Sequence, residues 1–173
     1  MSVLVRQPSD ADADGMGSVH VRAWRAAYAG LMPDDYLNSL SVKERSDMWR
    51  GGLSHPARPR TFRYVAEDQH GSIVGFVAGG PGAGDESAAV GELYVINVDP
   101  DAWGTGAGSA LHSSALDALV ESGFIEAILW VHPDNARARR FYENRGWRAD
   151  DVSRQETVLG VQVPEIRYSR VLA

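Results

Sequence analysis

The segment from Val90 to Glu121 constrains the fold more than any other part of this chain. An apolar run, Val90 to Val98, stops at Asp99-Pro100 and gives way to a loop, Ala102 to Gly108, that carries three glycines. Directly afterwards Leu111, Ala115, Leu116 and Leu119 recur at helical spacing through Ser109 to Glu121, and Gly123 is placed to end that helix. A strand feeding a helix through a glycine loop is the building unit of α/β domains. It also suggests a chemistry. Glycine lets the backbone approach a ligand closely and take positive φ. A helix start offers N–H groups without partners and a partial positive charge. Together they make a site for a phosphate or pyrophosphate. The bland alternative is a flexible connector, because glycine-rich turns before helices are common.

Other phosphate loops compare poorly. A Walker-type loop needs Lys and then Ser or Thr after its last glycine, whereas Gly108 is followed by Ser109-Ala110. A dinucleotide fingerprint needs glycine where Ser109 stands, and it opens the first strand–helix unit. Here several strands precede the loop.

The remaining pattern predicts one mixed α/β domain over residues 1–173. Val3 to Arg6 reads as a short strand, and Asp10 to Asp14 supplies helix-capping residues. A helix carrying Val19, Trp24, Ala27, Tyr28 and Leu31 is predicted to stop at Gly30 and Pro33. A second helical stretch starts near Pro33, breaks at Ser41 and is predicted to end at Gly51-Gly52. Thr61 to Glu67 and Ser72 to Ala78 read as a hairpin around Asp68-Gln69-His70-Gly71. Gly79 to Ser87 reads as a loop. Ala127 to Val131 reads as a buried strand, Ala136 to Asn144 as a short helix stopped by Gly146, and Trp147 onward with Glu165 to Val171 as the last strands.

Composition narrows the function classes. There is no cysteine, which excludes disulfides, thiolate metal sites and cysteine nucleophiles. The five histidines show no metal-ligand spacing, so no metal is expected. No apolar stretch has membrane-spanning length, and Met1 to Ser9 lacks the features of a secretory signal, so a cytoplasmic protein is expected. A net charge of −6 argues against nucleic-acid binding and favours approach of a cationic partner such as an amine. Against that background Arg137, Arg139, Arg140, Arg145 and Arg148 crowd one short segment.

Two motifs carry a resemblance. Val98-Asp99-Pro100 followed by Trp103-Gly104-Thr105-Gly106-Ala107-Gly108 resembles the central signature of the GCN5-related N-acetyltransferase (GNAT) family, Arg/Gln-x-x-Gly-x-Gly/Ala after a strand. Trp103 departs from it, standing where the family usually has Arg or Gln. Downstream, Asn135-Ala136-Arg137-Ala138-Arg139-Arg140-Phe141-Tyr142 and the following Gly146-Trp147 resemble the family's Asn-x-x-Ala-x-x-Phe-Tyr-x-x-x-Gly-Phe, with Trp147 in place of the Phe. The two motifs occur in the family's order and at its distance.

The resemblance implies a single GNAT-like domain, a mixed and mostly antiparallel sheet of about six to seven strands with helices on both faces. It implies acetyl transfer from acetyl-CoA to a primary amine of a small molecule. Ile96, Val98, Trp103, Gly104, Thr105, Gly106, Ala107, Gly108 and Ser109 would then hold the donor, with Asn135 on its pantetheine arm. Tyr142 is the implied general acid near the sulfur, against the plainer role of a core tyrosine. Glu92, a carboxylate in an apolar strand, is the candidate base, directly or through a water. His20, Trp24 and Tyr28 share one helix face, and Trp24 and Tyr28 would wall the acceptor site, although such stripes are often simply core. A homodimer is common in the family. The competing readings are a non-catalytic acyl-CoA-binding or sensor domain and a protein N-terminal or lysine acetyltransferase. Trp130 stands where N-terminal acetyltransferases of the ribosomal kind carry a catalytic Glu, which favours a small amine.

Overall fold

The computed structural model describes residues 3–83, 88–158 and 160–172. Seven strands form one sheet: β1 (Leu4–Arg6), β2 (Phe62–Glu67), β3 (Ile73–Pro81), β4 (Val90–Val98), β5 (Glu126–Val131), β6 (Arg148–Val158) and β7 (Val161–Val171). Their spatial order is β1-β2-β3-β4-β5-β7-β6. Every adjacent pair is antiparallel except β4 with β5. The helices are α1 (Ala13–Ala27), α2 (Asp34–Ser39), α3 (Val42–Leu53), α4 (Ala107–Glu121) and α5 (Ala136–Glu143).

Alternation along β3 shows how the layers are built. Phe76 packs with Met16 and Val19 of α1, while Val77 packs on the other face with Leu111 and Ala115 of α4. Leu111 and Leu119 are fully buried there, each large apolar side chain contributing about 1.5–3 kcal/mol. Ala138, Phe141 and Tyr142 of α5 join the α4 side. The expected mixed, mostly antiparallel sheet with helices on both faces is what forms.

Element ends depart from the sequence reading in several places. Helix α1 stops at Ala27, with Tyr28 capping it through its N–H to Trp24 O (2.9 Å), before the Gly30 break is reached. Helix α3 continues through Gly51 and Gly52 to Leu53, because Arg63 Nη1 donates to the Gly52 carbonyl (2.6 Å) near the end of the helix. Strand β3 runs to Pro81 instead of ending at Ala78. Gly79 belongs in that strand for a packing reason: a Cβ there would stand 2.5 Å from Phe62 Cζ and 2.6 Å from Glu92 O. Of the loop expected at Gly79 to Ser87, residues 84–87 lie outside the described residues.

Two interior histidines give the fold a pH dependence. Trp147 Nε1–H donates to His112 Nε2 (2.9 Å), which requires that nitrogen to be bare. Burial, with help from Arg145 and Arg170, pushes the His112 pKa down to about 4. Burial and then Arg45 push His20 down to about 4 as well. The unfolded chain takes these protons near 6.5, whereas the folded one resists until about 4. Stability is therefore complete above pH 6.5 and is lost as the pH falls from 6.5 toward 4. Thermal melts are expected to show Tm falling through that window, and His112→Gln should flatten part of the slope. A Tm unchanged between pH 7 and 4 would remove this account of the core.

Candidate active site

The parallel pairing of β4 with β5 is short. It covers Val90 with Glu126, Gly91 with Ala127 and Glu92 with Ile128. Beyond Glu92, β4 continues to Val98 and β5 to Val131 without pairing to each other, so the sheet forks. A register shift puts two residues of β4, Leu93 and Val95, opposite Gly79 and Ala78, which leaves Tyr94 as a bulge at the start of the fork.

The register also sets where the backbone of β4 points. Asp99 N–H donates to Val74 O (2.8 Å), one step beyond the pair Val98 with Gly75. Hydrogen-bonded and non-hydrogen-bonded pairs alternate in an antiparallel ladder. The N–H and C=O of Val98 and Ile96 therefore face away from β3, into the fork. Trp103 Nε1–H confirms the direction by donating to Val98 O (3.0 Å).

The glycine loop lies at the end of the same strand. A 3-10 turn, Pro100–Ala102, opens it, and Arg22 of α1 ties it down through Asp99 (3.2 Å) and Asp101 (2.5 Å). Gly104 has φ +76 and Gly106 φ +96, with Gly106 capping α4 in the left-handed conformation. The helix begins at Ala107, two residues before the expected Ser109, because the left-handed Gly106 starts it directly. Its first internal bond runs from Ala110 N–H to Gly106 O (3.0 Å), so the N–H groups of Ala107, Gly108 and Ser109 have no intrahelical acceptor. No acidic side chain stands in the first turn. These features suit an anion.

Fork and loop open into one groove of about 520 Å³, within the range of ligand clefts. Most of the expected residues line it: Ile96, Val98, Trp103, Gly104, Gly106, Gly108, Ser109, Asn135, Tyr142, Trp24 and Tyr28. Thr105 and Ala107 do not. Thr105 braces the loop with its hydroxyl on Ala102 O (2.7 Å), and the Ala107 side chain is buried in the core. Asn135 caps α5, its Oδ1 accepting the Ala138 N–H (3.1 Å). His20 lies behind the groove wall, its ring 5.8 Å from that of Trp24.

Tyr142 is 8% exposed, among Phe141 (ring centroids 5.4 Å apart), Trp147 (6.2 Å) and Tyr168 (6.5 Å). Burial, and then Tyr28, raise its pKa, so the phenol keeps its proton at neutral pH. Tyr28 is likewise pushed up to about 12, by burial first and then by Glu165 and Tyr36. Glu92 is not among the residues lining the groove. It is buried at the last β4–β5 pair, and its Oε2 accepts the Ala83 N–H (3.0 Å).

Sequence reasoning missed several groove residues, Tyr94, Asn97 and Glu165, whereas Arg137 and Arg145, of the arginine-rich segment singled out in the sequence, also line the groove as neighbours of the glycine loop. Arg137 lies over the Trp103 ring, 3.8 Å from its centroid. Arg145 lies over Phe141 at 3.8 Å and reaches Ser109 Oγ at 2.5 Å. Positive charge that the Trp103 substitution removes from the loop is thus present beside it on α5 and just after. Glu165 is ion-paired with Arg154 (2.8 Å), which also covers the Trp130 ring (4.0 Å). Among the described residues no cluster of three metal-ligating side chains occurs, and no helix is long and apolar enough to cross a membrane.

Comparison with known proteins agrees with this geometry. Residues 23–147 match the profile of the acetyltransferase (GNAT) family. The chain is 35% identical over 133 residues to the uncharacterized N-acetyltransferase YuaI of Bacillus subtilis strain 168, covering 77% of this chain and 73% of that protein. It is 37% identical over 102 residues to the mycothiol acetyltransferase of Kocuria rhizophila, covering 56% of this chain but spanning only 33% of that relative. The crystal structure of PaiA N-acetyltransferase from Thermoplasma acidophilum in complex with coenzyme A superimposes with a TM-score of 0.71 at 19% identity, covering 99% of each chain. That likeness speaks for the fold. By its profile and its relatives, the chain belongs to the GNAT family of N-acetyltransferases.

Proposed function

We propose that this protein moves an acetyl group from acetyl-CoA to a primary amine of a small molecule, by direct attack with both substrates bound. The observation that carries this reading is the meeting, in one groove, of the forked β4 edge, the left-handed glycine start of α4 and the buried Tyr142. Acetyl-CoA supplies an activated acetyl thioester. The residues present fit such a ligand: the N–H groups of Ala107, Gly108 and Ser109 receive the pyrophosphate, and Asn135 meets the pantetheine arm.

The chain's own groups divide the remaining work. The fork-facing N–H groups of Ile96 and Val98 donate to the carbonyl oxygen as it gains charge under attack by the amine nitrogen. Tyr142 gives its proton to the departing sulfur when the carbon–sulfur bond breaks. An amine attacks only as the neutral base, and a simple amine titrates near 10, so one proton must leave it. Glu92, at the closed end of the fork but off the groove wall, accepts that proton through water. The aromatic pair Trp24 and Tyr28 walls the acceptor end.

Release of coenzyme A thiol, followed with a panel of small amines, tests the reading. At least one amine is expected to give turnover, with Glu92→Gln lowering kcat by about 10²-fold and shifting the pH–rate profile. No thiol release with any amine, from protein that binds acetyl-CoA, would instead favour a non-catalytic acyl-CoA-binding domain.

A further inference from the structure

The groove is polarised along its length. Its arginines, Arg137 and Arg145, lie on or just after α5, and among the described residues its one carboxylate is Glu165 of β7. Strand alternation fixes where that carboxylate stands. Leu129, Val131, Ile166 and Tyr168 pack on the α4 side of the sheet, so Trp130 and Glu165, which alternate with them, face the α1 side. Val163, two residues before Glu165 on the same face, packs in the cluster that holds Trp24 and Tyr28. Trp130 is the cross-strand partner of Arg167, which makes it the diagonal neighbour of Glu165. Trp24, Tyr28, Trp130 and Glu165 all line the groove, so its acceptor end is built of aromatic rings and a carboxylate.

The cations nearby leave this carboxylate with charge and acceptor capacity to spare. The Glu165 side chain is 17% exposed, and among the described residues its hydrogen-bond partner is Arg154, whose Nε meets Oε2 at 2.8 Å. Arg154 also serves Glu156 at 3.5 Å, so one guanidinium is divided between two carboxylates. Arg167, on the same face, is turned to Asp150 (2.8 Å). A carboxylate accepts up to about four hydrogen bonds, so Glu165 can take a donor from the groove as well. Aromatic rings attract a cation, and more strongly when it is desolvated. A carboxylate among such rings, in a chain of net charge −6, suits an organic ammonium.

That ammonium is not the nitrogen that reacts. The N–H groups of Ile96 and Val98 belong to β4, and β5 stands between β4 and β7. At about 4.8 Å per strand, the Glu165 backbone lies roughly 10 Å from that of β4, and farther where the sheet forks. A substrate that reaches both places carries two nitrogens joined by a short chain. Resting on the acetyl-transfer reading above, we propose that the acceptor is a diamine or polyamine and that Glu165 is its specificity-determining residue. Glu165 holds one charged nitrogen beside Trp24, Tyr28 and Trp130, while the other, neutral, attacks at the fork. The attacking nitrogen gains the acetyl carbon and loses one proton, the sulfur takes a proton as its bond to carbon breaks, and the held ammonium passes through unchanged.

Binding is measured apart from turnover, by calorimetric titration of the coenzyme A-loaded protein. The ligands are the mono-N-acetyl derivatives of diaminopropane, diaminobutane and diaminopentane, each beside the N-alkylacetamide of the same chain without the second amine. At least one acetylated diamine should bind saturably, with its uncharged counterpart about 30-fold weaker, as befits loss of a charge-assisted hydrogen bond. Glu165→Gln should bring the two within about threefold of each other and keep native affinity for coenzyme A. The comparison within the native protein stands even if that variant fails to fold. Equal binding of charged and uncharged ligands, binding of neither, or an unchanged preference in Glu165→Gln would overturn the proposal. So would a Glu165→Gln enzyme that loses diamines and monoamines alike through kcat with a shifted pH–rate profile, the mark of a proton acceptor. Glu165-dependent binding without thiol release from acetyl-CoA by any diamine would keep this site and remove the transferase reading. Thiol release with monoamines as efficient as with diamines would do the reverse.

Discussion

Gly106→Val is expected to bind coenzyme A at least about 100-fold more weakly than the native protein while keeping its fold. Gly106 sits at φ +96, where a β-branched residue is a genuine outlier and an L-residue costs about 1–2 kcal/mol. Nothing lies within 4 Å of where its Cβ would stand, so the penalty comes from the backbone and not from a clash with the core. The chain relieves it by leaving the left-handed region, and that turns the N–H groups of Ala107, Gly108 and Ser109 away from a common focus. Hydrogen bonds to a charged group are worth about 1.5–3 kcal/mol each, so losing the alignment of one or two gives the stated effect. Calorimetric affinity and circular dichroism of the same sample check both halves. Affinity within threefold of native would mean that the loop holds no phosphate.

Tyr142→Phe is expected to lower kcat by about 10²-fold and leave the dissociation constant of coenzyme A nearly unchanged. The substitution keeps the ring and its contacts with Phe141, Trp147 and Tyr168, so packing is conserved. Only the phenolic hydroxyl, and with it the proton to be donated, is lost. Burial holds that proton in place at neutral pH, which suits a group that must deliver it to a leaving thiolate. Single-turnover thiol release, measured alongside coenzyme A titration, separates the two effects. A native rate would confine Tyr142 to the core. A weakened affinity with a native rate would make it a binding residue.

Much of the fold could be read in the sequence because it is written in local signals. The strand Val90–Val98, the glycine loop and the helix after it each announce themselves by periodicity and turn residues. Element ends were harder. Gly51 and Gly52 looked like a stop, yet a carbonyl satisfied by Arg63 from β2 carries the helix onward, and that contact is invisible locally. Gly79 looked like loop and is instead a strand position crowded by Phe62.

The site divides the same way. Gly104, Gly106 and Tyr142 lie within contiguous motifs and were legible. Glu165 reaches the groove only through long-range strand pairing, which no motif spacing encodes. Asn97 did leave a signal, as a carboxamide inside an apolar strand beside Val98, and it was available to be used.

The most direct measurement is calorimetric titration of the purified protein with acetyl-CoA, with NAD as the control ligand. The account predicts saturable, one-to-one binding of acetyl-CoA and none of NAD. A folded sample that binds neither would contradict it, leaving the left-handed glycine loop as a structural turn and the groove without its donor.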